Sequence, residues 1–348
     1  MVHLGPLISL KGMKVMDKAM VQKILFIGDP HIKLNNLELI DMLQKQALQL
    51  VMDKNVDKVV IGGDVLHNHE RLHTITLNRA CTFIEAFCQR VPTYVLVGNH
   101  DYENNQQFLT NRHWMNALKK WTNCTVVDQC MVIDDEIVMV PYVPPGRFQE
   151  ALDTVKVDLN LIKCIFAHQE FYGCRMGAIE SNDGDKWFMD HPLVVSGHIH
   201  SKQRPQPNIV YPGSAIQHAF GESESSDMIV VTIDYNVTLE EVEVMVPKMR
   251  TVTTTIDKFE SLKLYIQPNE RVRVVCKGSV EAFKALKKTK RFKEVDAIAK
   301  VQFRLVVGNQ PQIATMAQTA TFETILDELV LKLNNGYVMD LYKNLKVA

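Results

Sequence analysis

Five short apolar runs punctuate the chain: Lys23-Ile-Leu-Phe-Ile27, Lys58-Val-Val-Ile61, Thr93-Tyr-Val-Leu-Val97, Leu161-Ile-Lys-Cys-Ile-Phe-Ala167 and Leu193-Val-Val-Ser196. Their shortness, and the polar or glycine turn that ends each one, predict buried strands rather than helices. Between the first three, apolar positions recur with a helical period. They are Leu37, Ile40, Leu43, Ala47, Leu50 and Val51 over 36–53, then Leu77, Cys81, Ile84 and Phe87 over 76–90. A further helix is expected over 106–121. Later on, 125–127, 131–133, 137–141, 209–211, 228–234 and 239–246 read as short strands with turn signals between them. Strands alternating with helices early and a strand-rich stretch later predict an α/β (α+β) fold. Its expected form is a mixed sheet or two-sheet sandwich flanked by helices.

The pattern changes after Pro247. Segments 272–276, 280–290 and 301–307 suit a small α+β unit, and 308–321 is an uncharged linker containing Pro311. Beyond it Phe322, Ile325, Leu326, Leu329, Val330 and Leu333 fall on one helical face that Asn334-Asn-Gly336 ends. The expected organisation is therefore a leader over 1–22, a main domain over 23–248, a basic capping unit over 249–307, a linker over 308–321 and a helical segment over 322–348. The leader reads as loosely ordered, or as an upstream start before Met13, Met16 or Met20, and lacks the order of a secretion signal.

With 46% hydrophobic and 23% charged residues the composition is that of an ordinary globular protein, and no apolar run has the length to span a bilayer. The seven cysteines form no Cys-x-x-Cys pair, and their odd number points to free thiols in a reducing compartment, cytoplasmic or nuclear. The formal net charge of −1 hides an asymmetry. Residues 250–304 hold fourteen Lys/Arg against six Asp/Glu, about +8, which leaves about −9 for the rest. An acidic body with a basic lobe suits a metal site beside a surface that meets a polyanion.

Every apolar run ends in metal-ligand chemistry: Asp29 and His31; Asp64; Asn99 and His100; His168; His198 and His200. In open α/β sheets, sites form where loops leave the carboxyl ends of strands, so five such loops can converge. One polar strand end is unremarkable; five, most preceded by glycine, are hard to read as core histidines. If the chain bends at the strand end, His198 and His200 can serve two different ions, since residues two apart share a face only while the chain stays extended. Two Asp, one Asn and several His, with no Cys, suit Mn²⁺ or Fe²⁺, admit Mg²⁺ or Zn²⁺, and disfavour Ca²⁺. Asp64, reached from both sides, can bridge two ions roughly 3.5–4 Å apart, the two-metal arrangement for phosphoryl displacement. His100 follows Asn99 and is free to donate a proton to a leaving oxygen. His67, beside His69 and His73, reads equally as substrate-positioning or as an exposed loop histidine. His113, His191 and His218 read as structural.

Gly28-Asp-Pro-His31, Gly63-Asp64, Gly98-Asn-His-Asp101, Ala167-His168 and Gly197-His-Ile-His200 resemble, in order, the five motifs of the calcineurin-like metallophosphoesterases. The resemblance implies one metal held by Asp29, His31, Asp64 and His200, a second held by Asp64, Asn99, His168 and His198, and His100 as catalytic acid. A narrower resemblance is to the SbcD/Mre-type DNA repair nucleases and phage recombination-endonuclease subunits. It rests on Gly63-Asp-Val-Leu-His67, on Tyr211-Pro-Gly-Ser214 with Glu222 after it, and on Ala167-His-Gln-Glu-Phe-Tyr-Gly173. It implies 3′→5′ exonuclease and single-strand endonuclease activity, with His67 placing the DNA backbone. It also implies a homodimer joined through helices near 76–90 and 106–121, and a C-terminal segment docked on an SbcC-like coiled-coil ATPase. A phosphatase or cyclic-nucleotide phosphodiesterase is the competing expectation. A binding module without chemistry is disfavoured, because no ligand position is missing.

Overall fold

The structure is a computed structural model, and it describes residues 21–305 apart from 70, 178, 223–225 and 268–269, together with Val330, Met339 and Tyr342 singly. The linker expected at 308–321 and the leader up to residue 20 lie outside the described residues, as does all of 322–348 but those three positions. Among the described residues no helix is long and apolar enough to cross a membrane.

Two six-stranded sheets face each other. The first runs, in spatial order, Val237–Glu243, Asp227–Ile233, Gln22–Ile27, Lys58–Ile61, Thr93–Leu96 and Cys124–Val127. The second runs Gln203–Gln206, Ile209–Tyr211, Leu193–Gly197, Cys164–His168, Ile137–Val140 and Met131–Ile133. The central strands of each are parallel; antiparallel strands close both edges of the second sheet and one of the first, whose other edge, Cys124–Val127, is parallel. The two-sheet sandwich flanked by helices expected from the sequence is thus observed.

The apolar runs are continuous because both faces of the central strands are covered. Ile24 and Phe26 point into the seam between the sheets, whereas Leu25 and Ile27 point outward beneath the helices. Val60 and Phe166 face the same seam, while Val59, Ile61, Ile165 and Ala167 face out. Across the seam the Phe26 and Phe166 rings stack at 5.8 Å, which ties the two sheets in register. Emptying such a site costs about 3–5 kcal/mol for Phe→Ala. Helices Leu37–Asp53 and Thr74–Cys88 cover the first sheet through the apolar stripes read from the sequence. The expected helix over 106–121 is a 3₁₀ helix, Trp114–Lys120, preceded by irregular chain. His113 starts it by accepting the Met115 N–H, a local cap that outcompetes a regular turn further upstream.

A third sheet, Lys248–Thr255, Glu270–Gly278 and Lys300–Leu305, is wholly parallel. Helices Val280–Leu286 and Lys290–Ile298 cover it, around a core that includes Phe259, Val274, Phe283, Phe292 and Val295. The single basic helix read over 280–290 is two helices, because Ser279 and Thr289 each cap a new N-terminus. Strand Lys248–Thr255 escaped the sequence reading: threonines occupy it and most of its residues are only partly buried.

Candidate metal centre

All five strand ends open at the carboxyl edge of the parallel strands, and there the seven candidate ligands meet. Asp29, His31, Asp64, Asn99 and His168 are buried, while His198 and His200 are partly exposed. Ligating atoms of Asp29, His31 and His200 lie within 4.8 Å of one another, as do those of Asp64, His168 and His198. Asp64 faces both groups: Oδ2 is 3.4 Å from His31 Nε2 and Oδ1 is 3.4 Å from His168 Nε2. Asn99 Oδ1 sits 3.0 Å from His168 Nε2 and 2.9 Å from His198 Nδ1. His198 and His200 thus serve opposite groups.

The backbone is bent hard to achieve this. Asp29, His31, Asp64 and His198 all have positive φ, at 40°, 40°, 50° and 80°. Each such residue costs on the order of 1–3 kcal/mol and persists only where its surroundings enforce it. The glycines are needed for close approach. Gly63 has φ +96°, and a Cβ there would strike the His168 ring; a Cβ on Gly98 would strike the Asp64 carboxylate.

Outer contacts set the tautomers, and so decide which nitrogen faces inward. His168 Nδ1–H donates to Gly62 O at 2.7 Å, turning Nε2 toward Asp64 and Asn99. His200 Nδ1–H donates to Glu222 Oε1 at 3.1 Å, leaving Nε2 3.0 Å from His31 Nε2. His198 has Glu170 behind it at 3.9 Å. His100 Nδ1–H donates to His67 O at 2.7 Å, and its backbone N–H donates to Asp64 Oδ1 at 2.8 Å. His67 stacks on His100 at 5.7 Å with rings 6° apart, and His69 stacks on it at 4.6 Å. The structure thereby puts His67 beside the centre.

Three residues outside the expected set also act here. Glu222 orients His200. His218, read as structural, packs edge-on against His31 at 4.7 Å and donates Nε2–H to Asp29 O at 2.8 Å. Asp101 accepts the backbone N–H groups of Val65, Leu66 and Gly98 and the Trp114 indole N–H, pinning two of the strand-end loops together. Its place in Gly98-Asn-His-Asp101 was the available signal; His218 had none, as it stands alone between Gln217 and Ala219.

Electrostatics follow from burial around paired charges. Burial pushes Asp29 up from the usual carboxylate range and His31 well down from that of imidazole. Asp64 is buried too, but neighbouring imidazoles, His168 foremost, hold it well below its ordinary value. Burial disfavours a charged His168, yet Asp64 and Asp29 outweigh it and raise that imidazole to about 9. Burial, then the Asp64 charge, lift Asp101 to about 7. The donor set fits divalent cations. Asp29 Oδ2 is buried with no hydrogen-bond partner, and the His31 and His200 Nε2 atoms face each other at 3.0 Å. A cation satisfies all of these at once, whereas packing alone leaves them opposed.

Comparison with known proteins agrees with this geometry. Residues 22–227 match the family model "Calcineurin-like phosphoesterase", and the chain belongs to that family of metal-dependent phosphoesterases. It is 55% identical over 278 residues, 77% of this chain and 98% of the relative, to "Putative phosphoesterase 244L" of invertebrate iridescent virus 6. It is 48% identical over 280 residues, 78% of this chain and 81% of the relative, to "Putative phosphoesterase 078R" of invertebrate iridescent virus 3. Among solved structures it resembles GAP50, the anchor in the inner membrane complex of Plasmodium. That likeness has a TM-score of 0.45 at 13% identity, covering 83% of this chain and 98% of the other. The relatives named as phosphoesterases are viral. The seven cysteines are free thiols, six of them buried.

Proposed function

We propose that the chain is a two-metal phosphodiesterase that cuts DNA, a nuclease of the SbcD/Mre type acting as a dimer with an SbcC-like coiled-coil ATPase. Mn²⁺ is the ion we assign to it. The observation that carries the substrate class is the shape of the approach. His67 and His100 form part of the wall of an open trough of ≈ 970 Å³, shared with His69, Arg71, Asn104 and Gln106. An adjoining hollow shares His67 and Arg71 and adds Lys33. Across the two hollows Lys33 and Arg71 outnumber the one carboxylate, Glu103, and open walls of this kind accommodate a polymer backbone, whereas a small ester is better held by a closed pocket. Residues 250–304, with fourteen Lys/Arg against six Asp/Glu, supply a second basic region for a polyanion.

Asp29, His31, Asp64 and His200 would hold one ion, and Asp64, Asn99, His168 and His198 the other. When bound, such a pair would activate a water and neutralise the non-bridging oxygens of the phosphate. The protein's own groups do the rest. Asp64 fixes the spacing of the two groups. His100 keeps Nδ1–H on the His67 carbonyl, so its Nε2 can take up a proton and, as the imidazolium, pass it to the leaving oxygen. His67 lies along the same wall, where it can meet the phosphate next to the cut. The test is an assay of end-labelled duplex and single-stranded DNA with Mn²⁺, with and without the ATPase. Expected are exonucleolytic and endonucleolytic products whose yield falls steeply with salt. Efficient turnover of a small phosphomonoester or cyclic nucleotide, with DNA left intact, would overturn the nuclease reading in favour of a small-substrate phosphatase.

A further inference from the structure

The segment 217–222 joins two parts of the molecule that the sequence separates. It leaves strand Ile209–Tyr211, the neighbour of Leu193–Gly197 in the second sheet. On its inner side it holds one ion group only. Glu222 Oε1 accepts from His200 Nδ1 at 3.1 Å, and Glu222 Oε2 accepts from the His218 backbone N–H at 2.6 Å. The His218 ring packs against both His31 and His200 and donates to the carbonyl of Asp29. The side chains of His31 and His200 and the backbone of Asp29 are thus braced by one short stretch. The second group is braced elsewhere, through Gly62 and Glu170.

On its outer side the same segment is gripped by the small parallel sheet. Gln217 and Met249 exchange two hydrogen bonds, 3.1 Å from Gln217 Nε2 to Met249 O and 2.6 Å from Met249 N to Gln217 Oε1. The Arg273 guanidinium lies 4.7 Å over the Phe220 ring and donates to Phe220 O at 3.3 Å and to Thr251 Oγ1 at 3.2 Å. A planar guanidinium makes this three-way contact; an ammonium cannot.

The geometry points to Arg273 as a positioning residue for the ion held by Asp29, His31 and His200, acting through Phe220 and Glu222. The small basic sheet and that ion are therefore coupled, and the coupling is reciprocal: whatever steadies the sheet tightens the ion, and the ion steadies the sheet. Contacts one shell beyond a metal ligand are worth 10–100-fold in metal affinity. Among the described residues, no hydrogen bond or ring contact joins the 217–222 segment to Asn99, His168 or His198. This inference rests on the two-ion reading above and goes beyond it by making the two ions unequal.

Two measurements on the full chain test it. Calorimetric titration with Mn²⁺ should give two ions in the wild type. In Arg273→Ala one ion should weaken severalfold, short of the roughly 10–100-fold expected for losing Glu222, which touches His200 itself, while the other keeps its affinity. Arg273→Lys should recover only part of the loss, and Arg271→Ala, an exposed neighbour on the same strand, should bind both ions normally. Hydrogen exchange of the wild type needs no variant: Mn²⁺ should slow the amides of Lys248–Thr255 and Glu270–Gly278. Unchanged exchange there, or Arg273→Ala binding both ions normally or losing both equally, would overturn the coupling. A wild type that binds no pair of ions would overturn the two-ion reading as well.

Discussion

The two halves of the metal centre are built differently. The histidines of the second group stand close to their strands: His168 is the last residue of its strand and His198 is the first beyond Gly197. The Gly62 carbonyl holds His168, and the Asp29 carboxylate holds the His198 backbone N–H. The histidines of the first group reach further out, with His31 four residues past Ile27 and His200 three past Gly197. Its outermost ligand is correspondingly less enclosed, the His200 side chain being 31% exposed against 16% for His198. This half depends on a loop that belongs to neither strand end. Where a ligand ends a strand, the core that folds the protein also aims the ligand. Where it sits on a loop, something else must aim it, and here that is the 217–222 segment with the small sheet behind it.

Asp64 is the point where the halves join, so it offers the largest effect. Asp64→Asn should weaken both Mn²⁺ ions together and leave hydrolysis of the phosphoester near background, which titration and a cleavage assay would check. Equal loss at both sites separates it from any one-sided variant. His100→Ala removes no ligand, although its ring packs edge-on against His31: hydrolysis should fall by about 10²–10⁴-fold while both ions bind. Should ion binding fall instead, His100 belongs to the ligand set and not to proton transfer. Gly63→Ala attacks the strand-end half, because its Cβ must enter the space of the His168 ring at a backbone angle that disfavours a side chain. It should cost about 1–3 kcal/mol in denaturant unfolding and weaken the His168 ion first.

Asp101→Asn leaves the ligands untouched but turns an amide N–H toward backbone and indole donors. About 1–3 kcal/mol of stability should be lost, with the ratio of the two ion affinities unchanged. The subtlest effect is on protons. Asp64 and Asp29 keep His168 charged up to about 9 in the metal-free protein, and a ligand imidazole must be neutral. Mn²⁺ uptake near neutral pH should therefore release about one proton. Affinity should rise with pH until His168 is neutral. Calorimetry in buffers of different ionisation enthalpy measures that release; none would mean that His168 is already neutral.

Much of this was legible in the chain because its polar residues contradict their surroundings. Asp29, Asp64, Asn99 and His168 each follow an apolar run that buries them, a cost only a function or a strong partner offsets. The sandwich was legible for a related reason. Phe26 and Leu25 both sit in apolar runs, although they face different layers. His218 and Arg273 were not legible. A single histidine in a loop and one arginine among fourteen basic residues carry no local pattern, and their meaning lies in contacts across 53 residues of sequence, from Arg273 to Phe220. Strand Lys248–Thr255 was hidden because half-buried threonines give no apolar alternation to read.

The central claim is that five strand ends hold two cations around one shared carboxylate. Electron paramagnetic resonance of the Mn²⁺-loaded wild type addresses it directly, since two ions roughly 3.5–4 Å apart are exchange-coupled. A coupled-pair spectrum that collapses to isolated Mn²⁺ in Asp64→Asn is the expected result. Only isolated ions in the saturated wild type would contradict the account.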